Sequence, residues 1–317
     1  MEVIRDIDSL PVAGLRNGVV TIGNFDGCHT GHQEIFRRAR EHASRIGGPT
    51  VVYTFDPHPA SVVKGVTPQL IFTLNEKIEA IRSLEMDYLV ISPFTREIAD
   101  TPPEAFVEET IMKRLNASGV VVGHDFSFGR KARGDIPFLI KMGEKLGFFV
   151  ESVDPVSVDG TVVSSTCIRK MIASGDVAGA ARFMLHPFRL QGPVVHGMSR
   201  GRGLGYPTAN IVPDKALIPA YGVYAVYLST PEQCYRAVVN VGNNPTFGDS
   251  GTSIEGFIFD FEGDIYHKNI TIEFVEFIRG EIKFADKSYL IDQIREDCRK
   301  AKEILRKKDR CEDLCHI

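Results

Sequence analysis

Val19-Val20-Thr21-Ile22-Gly23-Asn24-Phe25-Asp26-Gly27-Cys28-His29-Thr30-Gly31-His32 runs from an apolar strand pattern through a glycine-rich loop toward a helix. The strand is Val19–Ile22. The helix extends from about Gly31 to Arg45 and gathers Ile35, Phe36, Ala39, Ala43 and Ile46 on one face. Glycines at 23, 27 and 31 let the backbone approach a ligand closely. The helix start offers unpaired N–H groups and a positive dipole end to an anion. His29 and His32, three apart, can both face that anion and donate to phosphate oxygens. The loop lacks the Gly-Lys-Ser/Thr of a Walker loop and the spacing of a GxGxxG dinucleotide fingerprint. The plainer alternative is a tight turn carrying two surface histidines.

Outward from this loop, short β-rich runs alternate with helical patterns. Val51–Phe55, Tyr88–Ile91 and the fully apolar Val120–Val122 read as further strands. A helix near Asn75–Leu84 is announced by Thr73 and Glu76 at capping-box spacing. Another opens at Thr101-Pro102-Pro103-Glu104, with an N-cap, first-turn proline and N3 glutamate in place. This order implies an α/β doubly wound parallel sheet, with ligands at the C-terminal ends of its strands.

The pattern changes after about His186. Leu190–Val195, Gly222–Leu228, Arg236–Val241, Ile254–Phe259 and Asn269–Phe277 read as antiparallel strands closing into a small β-barrel. A C-terminal helix, Ser288–Lys307, should cover that barrel with Leu290, Ile291, Ile294, Ala301, Ile304 and Leu305. Two domains are expected, 1–185 and 186–317, with the boundary near 184–188.

A chain of 317 residues with net charge −4 gives no electrostatic reason to expect nucleic acid or an anionic membrane as partner. No apolar run approaches membrane-spanning length, and the first residues lack the pattern of a signal peptide. The six scattered cysteines fit reduced thiols in a cytoplasmic protein. Cys311, Cys315 and His316 invite a zinc reading, but a fourth ligand is missing and a frayed terminus suits them better. Cys28 and Cys167 are either small buried fillers or thiols of lowered pKa beside a helix start. The sequence carries no reading of oligomeric state.

The His-x-Gly-His core resembles the nucleotidylyltransferase superfamily, and the full loop resembles its flavin branch. Thr54-Phe55-Asp56-Pro57-His58-Pro59, Gly123-His124-Asp125-Phe126-Ser127-Phe128-Gly129 and Ser164-Ser165-Thr166-Cys167-Ile168-Arg169 are similar to further motifs of that branch, in the same order. The resemblance implies transfer of AMP from ATP to FMN, with Mg²⁺ bridging phosphates. His29, His32 and Arg169 would stabilise charge on the pyrophosphate that leaves. Gly23, Asn24, Phe25, Asp26, Gly27, Gly31, Asp125, Phe126, Phe128, Ser165 and Thr166 would bind nucleotide or flavin. Phe126 and Phe128 could equally be core, and Ser165 and Thr166 could simply cap a helix.

Gly192-Pro193-Val194-Val195-His196-Gly197, leading into Arg202-Gly203-Leu204-Gly205-Tyr206-Pro207-Thr208-Ala209-Asn210, resembles the riboflavin kinase signature. The likeness to a bifunctional riboflavin kinase/FAD synthetase therefore extends over nearly the whole chain. It implies that Glu255 accepts the proton of the riboflavin hydroxyl and that Thr208 and Asn210 hold Mg²⁺ through side-chain oxygens. Gly197, Arg202, Gly205, Pro207 and Arg279 would bind nucleotide or flavin. Cys28, Asn243 and His267 depart from the residues usual there, a small apolar residue, threonine and glycine respectively. Riboflavin, FMN and ATP are the expected partners. Two alternatives are a different cytidylyl- or adenylyltransferase, against which the kinase-like half argues, and a flavin-binding regulator without catalysis. Loss of Glu255, His32 or Asn210 would mark the latter; all three are present.

Overall fold

Six parallel strands form the first sheet of this computed structural model, in the order β1-β4-β3-β2-β5-β6. They are β1 (Glu2–Ile4), β2 (Gly18–Ile22), β3 (Thr50–Asp56), β4 (Tyr88–Pro93), β5 (Ala117–Gly123) and β6 (Phe149–Val153). The structure describes residues 1–5, 7, 17–196, 208–230, 232–243, 252–284 and 286–308. Gly197, Arg202, Gly205, Pro207, Cys311, Cys315 and His316 lie outside the described residues.

β2 is buried along its whole length because strands flank it on both sides and helices follow on both faces. The chain steps from β2 to β3 on one side, and β5 lies on the other. The order therefore reverses beside β2, and the loop leaving its C-terminal end opens into the crevice where such sheets bind ligands. That loop runs into α1 (Thr30–Ile46). Between β3 and β4 lie α2 (Pro59–Lys64) and α3 (Leu74–Ser83), and α3 carries the expected Thr73/Glu76 capping box. After β4 come α4 (Arg96–Ala99) and α5 (Pro103–Ala105), which continues as a π-helix over Phe106–Arg114. Thr101 does not cap this helix as expected: its hydroxyl donates to the Glu97 carbonyl, 3.0 Å away, at the end of α4. Further along lie α6 (Ile136–Leu146) and a small hairpin, β7 (Ser157–Val158) and β8 (Thr161–Val162).

Contacts divide the chain into Met1–Ser165 and Thr166–Ile317. The second unit therefore takes in nearly all of α7 (Ser165–Ser174) and the whole of α8 (Val177–Met184), ahead of the expected boundary. The physical reason is that α8 packs on the barrel strands β9 (Phe188–Val195) and β14 (Asn269–Arg279). Between these run β10 (Ala209–Ile211), β11 (Gly222–Ser229), β12 (Cys234–Asn243) and β13 (Thr252–Ile258). The six close antiparallel in the order β10-β13-β12-β11-β14-β9. β10 was not expected; three residues after a proline carry too short an alternation to read.

α9 (Lys287–Lys307) lies on β11, β12 and β14. Its C-terminal half seals an apolar cluster with Ala301 and Leu305 fully buried against Val223, Ala225 and Tyr227. The Tyr227 hydroxyl donates to the carbonyls of Leu305 and Lys308, tying the helix end to the barrel. Its N-terminal half is less covered: Leu290, Ile291 and Ile294 are only half-buried, since Leu290 and Ile294 face a cavity.

The fragments 166–317 and 186–317 test the packing of α8. Losing Val177, Ala180, Phe183 and Met184, all buried, should destabilise the shorter fragment by more than about 3 kcal/mol. Denaturant unfolding measures this, and equal stabilities would contradict it.

Candidate functional sites

In the first unit the site loop is shaped from beneath. Phe25, Gly27 and Cys28 take positive φ (49°, 81° and 35°), which coils the backbone between β2 and α1. The Asp26 carboxylate is 2% exposed and accepts the N–H groups of Ile71 and Phe72 at 3.0–3.1 Å. This clamps the chain entering α3 against the loop. The Phe25 ring is 1% exposed and packs on Phe36. Both side chains face the protein interior, where apolar packing and backbone amides satisfy them, so any ligand contact of Phe25 and Asp26 runs through their backbone. Gly27 sits so close to Ile71 that an added Cβ would come within 3.0 Å of it, besides needing positive φ.

His29 and His32 do come together. His29 is the N-cap of α1, with Nδ1 accepting the His32 N–H at 3.4 Å. That bond places the His29 ring proton on Nε2. The two rings stack 3.5 Å apart, and the Phe25 edge meets His32. Burial holds the His32 imidazole well below the usual histidine range, with the neighbouring charges of His29 and Lys77 acting in the same direction. At neutral pH His32 is a neutral ring.

The Cys28 thiol is 1% exposed and donates to the Phe25 carbonyl at 3.6 Å, and burial pushes its pKa up to about 12. Desolvation there works against the lowered pKa that a helix start would give, which favours the reading of a buried filler.

At the end of β5, Phe128 is 7% exposed among Phe106 and Phe138. It belongs to the core, the second of the two readings the sequence left open. Phe126 stacks on it at 5.4 Å and is half-buried, and Asp125 is exposed. The Ser165 hydroxyl donates to the Asp26 carbonyl at 2.9 Å, a second clamp on the loop. Thr166 and Arg169 lie on α7 within the second unit. The residue that the sequence reading missed is Lys77, buried on α3. Its signal was there: Lys77, Ile81 and Leu84 follow the i, i+4, i+7 spacing of one helical face.

In the second unit a cavity of about 370 Å³ lies between the outer face of β12–β13 and the N-terminal half of α9. Val223, Val238, Phe257, Leu290 and Ile294 form its apolar wall; Thr208, Asn240 and Glu255 bring oxygen and amide groups to it. Pairing fixes these groups: Glu255 on β13 stands directly across from Asn210 on β10 and from Asn240 on β12. Directly paired residues project to the same face. Three strands thus present an amide, a carboxylate and an amide in a row. Among the described residues no group of three or more His, Cys, Asp or Glu could hold a metal. The neutral oxygens of Thr208 and Asn210 beside Glu255 still fit a hard cation that takes most of its ligands from phosphates. Arg279 borders the same cavity, but its guanidinium is held two-pronged by the buried Asp297 at 2.7–3.0 Å, with Gln293 also donating to that carboxylate. Asp297 was not anticipated, and Asn240 was read only as part of the segment Asn240-Val241-Gly242 that resembles riboflavin kinases.

Residues 13–167 match the FAD synthetase family and residues 184–305 the riboflavin kinase family. A bifunctional riboflavin kinase/FMN adenylyltransferase from Listeria monocytogenes is 36% identical, covering 89% of this chain and 90% of that one. The Haemophilus influenzae protein of the same description is 34% identical over 95% of this chain and 98% of its own. The chain belongs to the bifunctional riboflavin kinase/FMN adenylyltransferase family. A crystal structure described as a macrolide-efflux protein from Streptococcus pneumoniae superposes with a TM-score of 0.86 at 33% identity, covering 95% and 98% of the two chains. That description is of the streptococcal protein. Among the described residues here, no helix is long and apolar enough to cross a membrane. His267 takes φ 63°, a region that glycine enters freely.

His32 gives this family member a pH signature. Unfolded, the ring takes a proton near the ordinary value of 6.5; folded, it resists until lower pH. Stability is therefore full above that value and drains as pH falls below it, by at most about 1.4 kcal/mol per pH unit. Melting temperatures between about pH 7.5 and about pH 5.5 should fall further for the native protein than for His32→Gln. Equal declines would show that His32 titrates normally.

Proposed function

We propose that this chain carries both reactions named for its family and divides them between its two units. ATP phosphorylates riboflavin on the barrel, and a second ATP transfers AMP to the resulting FMN at the loop following β2, releasing pyrophosphate. The observation that carries the reading is the row Asn210–Glu255–Asn240 beside an apolar-walled cavity of flavin-compatible size. The flavin ring suits the wall formed by Val238, Phe257, Leu290 and Ile294. The terminal ribityl hydroxyl then reaches Glu255. Phosphorylating an alcohol requires removal of its proton during transfer, and the Glu255 carboxylate takes it. Arg279, braced by Asp297, keeps its guanidinium fixed at the cavity edge. Mg²⁺, when bound, neutralises phosphate charge, with Thr208 and Asn210 as its protein-side oxygens.

FMN's phosphate is already an anionic nucleophile, so adenylylation needs no strong base. It needs two polyanions brought together and charge on the departing pyrophosphate stabilised. The N–H groups at the start of α1, the Nε2–H of His29 and the neutral ring of His32 are donors for that purpose. For Thr166 and Arg169, a part in the same reaction rests on the motif they share with the family.

The test separates the halves. Glu255→Gln should abolish FMN formation from riboflavin and leave conversion of supplied FMN to FAD within about twofold. Replacing His29 and His32 by Ala should do the reverse, letting FMN accumulate while adenylylation falls by roughly a hundredfold or more in kcat. Normal FMN production by Glu255→Gln would remove the carboxylate from the role of base. A raised KM with unchanged kcat would reduce the histidines to binding alone.

A further inference from the structure

Four carboxylate or ammonium side chains are buried among the described residues: Asp26, Lys77, Glu273 and Asp297. Three are compensated. Asp26 accepts two backbone amides, Glu273 pairs with Arg189 at 2.5 Å, and Asp297 pairs with Arg279. Lys77 is the exception. It is 8% exposed, and its ammonium has one hydrogen-bond partner among the described residues, the Thr54 hydroxyl at 3.4 Å. No described carboxylate stands within the 4.0 Å of an ion pair, although Asp26 and Asp56 are near enough to act on its charge. An ammonium has three donors and is costly to bury unpaired. A methionine would fill the same place beside Ile78 and Ile81 without that cost.

The position of Lys77 suggests what the charge is for. It lies in the first turn of α3, just beyond the segment Ile71–Phe72 that Asp26 clamps to the site loop. Thr54, its partner, ends the buried run of β3 and donates onward to the Asn24 carbonyl at 3.5 Å. The chain Lys77–Thr54–Asn24 thus joins α3, β3 and the loop leaving β2, at the strand ends where the sheet order reverses. The charge of Lys77 is also felt at His32 and Cys28.

We propose that Lys77 is a positioning residue for adenylyl transfer: its buried ammonium fixes the ends of β2 and β3 to one another and places positive charge under the loop that receives the nucleotide phosphates. The inference rests on the reading of that loop as the adenylylation site. It also supplies what the histidine pair lacks, since His32 is neutral and the helix start carries only partial charge.

The test compares Lys77→Met, Lys77→Arg and His32→Ala with the native full-length chain, reading melting temperature, FMN-to-FAD turnover and riboflavin phosphorylation. Lys77→Met should melt at or above the native temperature, because a buried charge is gone, and should keep native kinase activity. Its kcat/KM for adenylylation should nevertheless fall ~10- to ~100-fold, with Lys77→Arg recovering most of the loss. A Lys77→Met protein that melts lower or fails to fold would assign the lysine to stability and overturn the proposal. So would native adenylylation in a stable Lys77→Met, or a folded Lys77→Arg as weak as Lys77→Met. Native adenylylation in His32→Ala would instead reject the site itself, whatever the lysine does.

Discussion

A carboxylate enclosed in protein must find donors for its oxygens, and Asp26 finds them in the amides of Ile71 and Phe72. Those amides come from the segment entering α3, forty-five residues further along the chain. Loop and helix start are therefore fixed to one another through a buried carboxylate. The consequences spread locally: Phe25 is held in the core, His29 falls at the N-cap of α1, and its ring stacks on that of His32. Lys77 arrives beside Thr54 for the same reason. Removing the carboxylate would take a shared acceptor from these two N–H groups and loosen the loop on which the histidines are mounted.

The barrel unit meets a different constraint. A closed sheet has no edge, so it can expose a site only on an outer face or at a rim. Here the outer face of β12 and β13 is half covered by α9, whose C-terminal half packs tightly while its N-terminal half stands over a cavity. Arg279 and Asp297 link β14 to the middle of α9, close to the transition between the two halves. Their bidentate pairing braces the helix where apolar packing gives out.

Much of this was legible in the sequence because it rests on short-range pattern. The four inner strands of the sheet, the capping box of α3 and the covering helix followed from periodicity and cap residues. The edge strands β1 and β6 did not: one is three residues long, and the other carries Glu151, which pairs with Arg38 of α1. Motif resemblance found His29, His32, Asn210 and Glu255, yet it could not separate residues that touch a ligand from those that hold the loop. The side chains of Phe25, Asp26 and Phe128 are buried, and that burial depends on partners distant in sequence. Lys77 and Asp297 were missed for one shared reason. Each is a charge on the apolar face of its helix, beside Ile81 and Leu84 in one case and Ile294 and Ala301 in the other. A charge in such a register is a signal in its own right, since burial has to be compensated.

The central claim is that one chain performs two successive ATP-dependent steps on a flavin. Incubating the purified protein with riboflavin, ATP and Mg²⁺, and separating the flavins by chromatography over time, tests it most directly. The account predicts that FMN appears first and without a lag, and that FAD follows with pyrophosphate released in equal amount. Riboflavin left unphosphorylated, or FMN accumulating with no FAD even when FMN is supplied in excess, would contradict it.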